Sequence, residues 1–471
     1  MGEGGLIDLI NGTPYPWTLS SQSFYQMKAW TFPTTIASGV YHPCHVPTTI
    51  RLPSSGASVP VYVEWDQDPG KDQGDDGGEA VYSMDGTSAT FQVQARNTDG
   101  FNLEVYLTAV ETQNNAVGST ISLGWNHNHA VNLVVGGEQD AFTSNNPSVD
   151  WMHQNLGILG DRKLRHICVP GSHDAGMSEF NAHTGLVRDT NTLTQKFNIA
   201  EQLAAGSRWF DIRPVISSGK FYAGHYSDTG IVGWQGANGQ SLSDIVNNIN
   251  SFTAQYDELI ILDISHTMDT DNDYADLSQA QWNHLFDQLL SLNNRFNTTG
   301  VSTSEDISQR TLNQFIGDGP SVLVVAELPS GITLGDYFAK GIVANSPNFP
   351  FYNVYSNTDE LNDMSSDQLT KLVDNRKTPD DEFFLLSWTL TESVVDAIWG
   401  SIPIPGDMNS ILELAGTAYQ PLFETFGNFT SSSYPNVLYM DLFGTFDQDA
   451  ASPSTEVAAL ALAVNGIAGR T

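Results

Sequence analysis

Between residues 150 and 445 the chain keeps returning to one pattern, a short apolar run that closes on polar residues. The first run is Ile167-Cys-Val-Pro-Gly-Ser, ending in His173 and Asp174. The second is Trp209-Phe-Asp-Ile, ending in Arg213, and the third is Phe221-Tyr-Ala-Gly, ending in His225. Then come Leu259-Ile-Ile-Leu-Asp263, Ser321-Val-Leu-Val-Val-Ala-Glu327 and Phe351-Tyr-Asn-Val-Tyr355. Phe383-Phe-Leu-Leu-Ser-Trp388 and Asn436-Val-Leu-Tyr-Met-Asp441 complete the set. A strand that is apolar along its whole length has both faces covered, which is the habit of parallel sheets flanked by helices. The segments between supply those helices. Leu242, Ile245, Val246, Ile249 and Phe252 make one helical stripe, and Trp282, Leu285, Phe286, Leu289 and Leu290 make another, with Ser278 as its N-cap. Ile199, Leu203 and Gly206 suit a short helix that ends on glycine. Eight runs predict an irregular TIM-type (β/α)8 barrel, and such a barrel carries its chemistry at the C-terminal strand ends.

The pattern before this region is different. Thr48–Leu52, Val59–Trp65, Ala89–Ala95, Phe101–Leu107 and Val131–Val135 are short β-rich runs with Gly, Asn and Asp between them. Phe91, Val93 and Ala95 fall on one strand face, and Gln92, Gln94 and Arg96 on the other. This predicts an all-β antiparallel sandwich over residues 1–145. The stretch from Ala141 to Trp151, with Ser144-Asn-Asn-Pro-Ser, serves as a linker, and the barrel domain takes 150–471.

The 54 acidic residues against 19 lysines and arginines give a net charge of −35. That disfavours nucleic acid as a partner and simple adsorption to anionic membranes. Cys44 and Cys168 lie in different expected domains, so a structural disulfide is not expected, and Cys168 reads as a small core residue. The N-terminus lacks the basic and apolar regions of a signal peptide, and no run is long enough to span a membrane. The chain is therefore either made without a signal or numbered after its removal.

Two histidines and an arginine at strand ends are the parts for metal-free cleavage of a phosphodiester. Of His173 and His225, one takes a proton and the other gives one, while the Arg213 guanidinium holds the phosphoryl charge. Asp211 and Arg213 share a strand face because their spacing is two, as a substrate-holding pair, an internal ion pair, or both. Asp441 ends the last run, next to the first in a closed barrel, and can reach His173. Asp263 and His266 point at the same mouth as substrate-binding or supporting residues. Trp388 stacks on a sugar ring or belongs to the core, and Glu327 is similarly undecided. Asp66, Asp68, Asp72, Asp75, Asp76 and Glu79 crowd one loop, either a calcium site or a solvated stretch. Asp269, Asp271, Asp273 and Asp276 read as a solvated loop, since they lack the EF-hand spacing. Trp234 and Trp399 sit in apolar loops that suit either a lipid interface or the barrel rim.

Val169-Pro-Gly-Ser-His-Asp-Ala-Gly, Trp209-Phe-Asp-Ile-Arg and Ala223-Gly-His resemble, in order and spacing, the catalytic X region of phosphatidylinositol-specific phospholipase C. The resemblance covers roughly residues 150–445 and is nearest the metal-independent bacterial branch. It implies that His173 is the general base, that Asp174 orients the other histidine, that His225 is the general acid, and that Asp441 matches a late aspartate. It also implies a substrate with a hydroxyl beside its phosphoester, a cyclic phosphate product and no metal or other cofactor. Arg213 stands where calcium-dependent relatives keep an acidic ligand. The competing readings are the same chemistry on a soluble or glycan-linked phosphodiester, and a binding protein on a decayed barrel.

Overall fold

The computed structural model describes residues 4–25, 27–39, 57–65, 75–97, 100–127, 130–184, 187–230, 233–391 and 410–468. Thr48–Leu52, Cys44, Trp399 and its loop, and Asp66, Asp68 and Asp72 lie outside the described residues, as do the side chains of Asp75 and Asp76. The chain divides into two compact units. The first is Met1–Ser148 with Gln420–Tyr434 and Ala458–Thr471, and the second is Val149–Tyr419 with Pro435–Val457.

In the first unit a five-stranded sheet runs in the order Ala141–Ser144, Ala130–Glu138, Gly4–Gly12, Ser58–Trp65, Met27–Trp30. A six-stranded sheet runs Thr35–Ile36, Trp17–Phe24, Asp75–Met84, Thr90–Asn97, Phe101–Tyr106, Thr120–Gly124. Alternation along Ser58–Trp65 buries Val59, Val61, Val63 and Trp65 and exposes Pro60 and Tyr62. Inward residues of both sheets, among them Leu9, Val63, Trp17, Tyr82, Phe91 and Val105, share one hydrophobic cluster. Two expectations need correction. Gly4–Gly12 pairs parallel with Ala130–Glu138, so the five-stranded sheet is mixed. No tight hairpin joins these two strands, so nothing local imposes the antiparallel sense. The first four residues of the expected linker, Ala141–Ser144, form a strand that turns back on Ala130–Glu138 through Gly137 and Asp140, both at positive φ. A Cβ on Gly12 or Gly136 would come within 2.7 or 2.9 Å of Ala463, so glycine lets that helical residue approach the sheet.

The second unit is built on eight parallel strands: β1 (Val169–Ser172), β2 (Trp209–Ile212), β3 (Leu259–Ile264), β4 (Ser321–Ala326), β5 (Ile342–Ala344), β6 (Phe351–Tyr352), β7 (Phe383–Trp388) and β8 (Val437–Met440). Their order is β5-β4-β3-β2-β1-β8-β7-β6, a curled sheet whose edge strands β5 and β6 are not paired with each other. The count of eight agrees with the sequence reading, but the membership does not. The third run, now Lys220–Asp228, belongs to a separate four-stranded sheet with Pro214–Ser217, Trp234–Ser241 and Met268–Asp269. The missing member is β5. Only the Ser218-Gly219 turn, at φ +52° and +71°, separates Pro214–Ser217 from the strand that follows. A turn that tight returns the chain antiparallel, whereas a parallel neighbour needs a crossover of a dozen or more residues.

The helices form where the stripes fall. Leu242–Thr253 is capped by the Ser241 hydroxyl, Gln279–Leu289 by a Ser278/Gln281 capping box, and Ile199–Ala204 by an Asn198/Glu201 box, with Gly206 at φ +99° beyond it. Phe210, Ile212, Ile260, Leu262, Ile264, Val322 and Val324 pack in one cluster with helix residues Ile245, Ile249, Trp282 and Leu285. Strand alternation therefore turns Trp209, Asp211, Ile261, Asp263, Leu323 and Val325 to the concave side. Trp209, Phe349, Phe351 and Phe383 fill that side at its lower level, with Trp209 and Phe383 stacked at 5.6 Å. The polar residues above them have an apolar floor.

Candidate active site

His173, Arg213, Ser265, Glu327 and Asp441 are each the first residue beyond a strand, after β1, β2, β3, β4 and β8. Two of them continue the inward face begun by Asp211 and Asp263. One residue further on, Asp174, His266 and Leu442 all turn at positive φ, +41°, +45° and +50°. Left-handed non-glycine residues are strained and gather at functional sites.

His173 is held at both ring nitrogens. Nδ1 lies 2.6 Å from Asp441 Oδ1, and Nε2 lies 2.7 Å from Arg213 Nη2. A guanidinium can only donate, so Nε2 accepts and the ring proton sits on Nδ1, facing the carboxylate. His225 Nδ1 lies 2.7 Å from Asp174 Oδ2. Asp174 is fully buried, and the same Oδ2 is 3.6 Å from Arg213 Nη1. Arg213 Nε donates to Asp211 Oδ2 at 2.9 Å, and Nη2 donates to the Tyr355 hydroxyl at 3.1 Å. Burial alone would weaken the charge on Arg213, but Asp211 and then Asp174 outweigh it, so the guanidinium stays charged.

Asp211 organises the centre from beneath. Its Oδ2 accepts from the Asp174 amide, Arg213 Nε and Tyr439 Oη, and its Oδ1 accepts from Ser265 Oγ at 2.6 Å. Burial raises its pKa, but Arg213, His173, His266 and the Ser265 hydroxyl together hold it well below the usual carboxylate range. Both of its oxygens are thus occupied within the protein, and one of them holds Arg213. Tyr355 is pushed up to about 12, chiefly by burial, and Tyr439 is raised as well, so both phenols stay protonated.

Asp263 and Glu327 form a second carboxyl group pair on the same side. Desolvation, then Glu327, raises Asp263 well above its ordinary value, and desolvation, then Asp211, raises Glu327 to about 7. Asp263 is buried, and its Oδ1 has no hydrogen-bond partner among the described residues. His266 meets Ser265 Oγ through Nδ1 at 2.8 Å. The residue is exposed, yet desolvation of the ring and then Arg213 lower its pKa to about 4.

The structure thus brings His173, Asp174, Asp211, Arg213, His225, Asp441, Asp263 and His266 to one place. His225 arrives from the side sheet and not from a strand of the curled sheet. Trp388 is not part of the group. It pairs with Met440 and lies on the opposite strand face from Ser387, buried, with its indole donating to Ala418 O at 2.8 Å. Trp234 is half-buried and stacks on Tyr274 at 5.4 Å. Asp271, Asp273 and Asp276 are exposed as expected, with the two Asp271 oxygens accepting the Ser218 and Gly219 amides at 2.8 and 2.7 Å, whereas Asp269 departs from the solvated-loop expectation because it is buried and accepts from Gln281 Nε2 at 2.6 Å. The sequence reading missed Tyr355, Tyr439 and Ser265. Tyr439 stands two before Asp441 and Ser265 two after Asp263, so the spacing rule that paired Asp211 with Arg213 would have found both. Among the described residues, no group of three or more His, Cys, Asp or Glu side chains is arranged to hold a metal ion.

No family model matches the chain. A PI-PLC X-box domain-containing protein of Dictyostelium discoideum is 30% identical over 138 residues, 26% of this chain. The match takes in 17% of the length of that Dictyostelium relative. Among solved structures, a Staphylococcus aureus phosphatidylinositol-specific phospholipase C is similar at 15% identity and TM-score 0.45, covering 68% of this chain and 97% of its own. The Listeria monocytogenes phosphatidylinositol-specific phospholipase C is similar at 16% identity and TM-score 0.40, covering 65% and 95%.

Proposed function

We propose that the second unit is a metal-independent phosphodiesterase of the phospholipase C type. The observation that carries this reading is the arrangement of two histidines, each oriented by a carboxylate through Nδ1, around one charged guanidinium. His173 Nε2 takes the proton from a hydroxyl adjacent to the phosphoester. That oxygen attacks phosphorus as the Arg213 guanidinium leaves the imidazole for the phosphoryl oxygens. The bond to the leaving alcohol breaks, and His225 gives that oxygen its proton. A cyclic phosphodiester results, and water opens it by the reverse use of the two histidines.

Within this reading the curled sheet is an irregular TIM-type barrel and the first unit is a β-sandwich. Asp174 and Asp441 orient the two histidines, and Asp211 steadies Arg213. An inositol phospholipid-like substrate suits the motif, with a soluble or glycan-linked phosphodiester as the second reading, favoured by the net charge of −35. An interfacial role would fall to Trp234 and Trp399. Metal independence is supported by Arg213, a fixed cation between Asp211 and Asp174 where a divalent ion would be repelled. The test is turnover of phosphatidylinositol in vesicles and of soluble glycerophosphoinositol, both in excess chelator. Cleavage of either is expected, and their ratio decides between the two substrates. Cleavage of neither removes the reading.

A further inference from the structure

His173 and Asp441 meet at 2.6 Å where the pairing of their strands has run out. After Ser172 and Met440, the last paired residues of β1 and β8, one further bond remains, from the His173 amide to Met440 O at 3.0 Å. The next residues, Asp174 and Leu442, both turn at positive φ, a strained backbone that persists only where its surroundings hold it. One buried dipeptide supplies that hold. We propose that Gln195 is a positioning residue for the His173–Asp441 pair, and that Thr194 is one for Asp174, the carboxylate bonded to His225. The inference rests on the function proposed above, which gives both pairs their work, and its deciding test reads the rings without turnover.

Thr194 and Gln195 lie between β1 and the helix Ile199–Ala204, and both are buried. Gln195 Nε2 donates to His173 O at 2.8 Å and to Met440 O at 3.2 Å, and its Oε1 accepts the Phe443 amide at 2.9 Å. One carboxamide thus grips the His173 peptide on one side and the backbone before and after Asp441 on the other. Thr194 Oγ1 donates to Asp174 O at 2.9 Å, and Thr194 O accepts the Leu442 amide at 2.8 Å. The Gln195 amide donates to Met177 O at 3.2 Å, which ties the dipeptide to the turn after β1. Both left-handed residues are therefore bonded to Thr194, and the two residues they follow are spaced by Gln195.

The residue types suit the task. Two carbonyls and one amide must be bonded out of water, and a glutamine side chain carries two amide donors and a carbonyl acceptor in one neutral group. A carboxylate there would face two carbonyl oxygens without a proton to give, and an apolar side chain would leave all three backbone groups unpaired. The threonine divides its work differently. Its bond to Leu442 comes from the backbone and survives loss of the hydroxyl, whereas its bond to Asp174 O does not. The Gln195 side chain therefore serves the proton-accepting arm of the site, and the Thr194 hydroxyl serves the proton-donating arm. A residue that merely sealed the seam between β1 and β8 would not separate the two arms.

Gln195→Met and Thr194→Val keep the side-chain shapes and remove these contacts. Long-range proton–nitrogen NMR spectra of the full chain, isotope-labelled at histidine and assigned through His173→Ala and His225→Ala, read the tautomer of each neutral ring. Both wild-type rings should carry the proton on Nδ1. Gln195→Met should turn His173 into a mixture of tautomers and leave His225 unchanged. Thr194→Val should move the His225 Nδ1 signal and leave His173 unchanged. On phosphatidylinositol, kcat of Gln195→Met should fall on the order of 10²-fold with KM little changed, the cost of a misplaced reacting group. An intact His173 tautomer in Gln195→Met would overturn the proposal, and so would variants that disturb both rings alike. If Gln195→Met does not fold, Thr194→Val decides alone, and an unmoved His225 signal in it overturns the division of arms. Failure of the phosphodiesterase reading would appear as absent turnover by the wild-type protein and leave the comparison of the rings as it stands.

Discussion

Asp441 Oδ1 lies 2.6 Å from His173 Nδ1, across a junction of 268 residues in sequence. The carboxylate can only accept, so it holds the proton on Nδ1 and leaves Nε2 as the lone pair for the substrate hydroxyl. Asp441→Asn offers an amide donor at the same place and turns the ring to the wrong tautomer. The expected loss in kcat is on the order of 10²–10⁴, with KM little changed and the fold intact by circular dichroism. A variant with near-wild-type kcat would show that Asp441 does not set the tautomer.

His173→Ala and His225→Ala should each lose roughly 10²–10⁴ in rate while the protein stays folded. The wild-type rate should be bell-shaped in pH, because one ring must begin neutral and the other protonated. Steady-state assays across pH check both, and a monotonic profile would break the division of roles.

Arg213→Lys keeps the charge but loses the fork that joins Asp211, Tyr355 and His173. A loss of about 10²-fold or more is expected. Wild-type activity after dialysis against a strong chelator should be complete and unchanged by added calcium. Activity that vanished in chelator and returned with calcium would mean that the guanidinium does not do the ion's work.

The first unit carries its own pH dependence. Asp8 is almost fully buried, and burial, then Glu424, raises its pKa to about 7 against a Gln420 hydrogen bond that lowers it. The folded value lies above the unfolded one, so this group's stabilisation is fully present below pH 4 and is lost as pH rises to about 7. Asp8→Asn removes that loss. Urea unfolding should find the variant gaining on wild type by a few kcal/mol, on the order of the shift, between pH 5 and pH 8. A difference that does not change with pH would place the ionised carboxylate in a wetter site.

Gly171 faces a crowded layer, where an added Cβ would lie 2.3 Å from Val437 Cγ1 and 3.2 Å from Trp209 Cβ. Gly171→Ala should destabilise the protein by about 1–3 kcal/mol, read as a fall in Tm, with activity lost in proportion. An unchanged Tm would show that β1 and β8 can spread apart.

How much could be read from the sequence follows from where the information lies. Fully apolar strands such as β3, β4 and β7 announce themselves, and so do helices with a serine cap and a regular stripe. The residues just past the strands were legible for the same reason, since a polar residue ending an apolar run stands out. Three kinds of feature were hidden. β5 is three residues long, Ile342–Ala344, too short to carry a pattern. The run at Lys220–Asp228 looked like a barrel strand because its composition is the same, and only the short turn before it shows that it folds back. Trp388 looked available at a strand end, but the alternation that points Ser387 inward sends Trp388 to the helix side.

The central claim is that His173 drives an intramolecular attack on phosphorus. Phosphorus NMR of the wild-type protein with phosphatidylinositol, set beside an analogue methylated on the hydroxyl next to the phosphoester, tests it most directly. The account predicts a cyclic phosphate as the first product from phosphatidylinositol and no turnover of the methylated analogue. An acyclic phosphate appearing first, or cleavage of the methylated analogue, would contradict it.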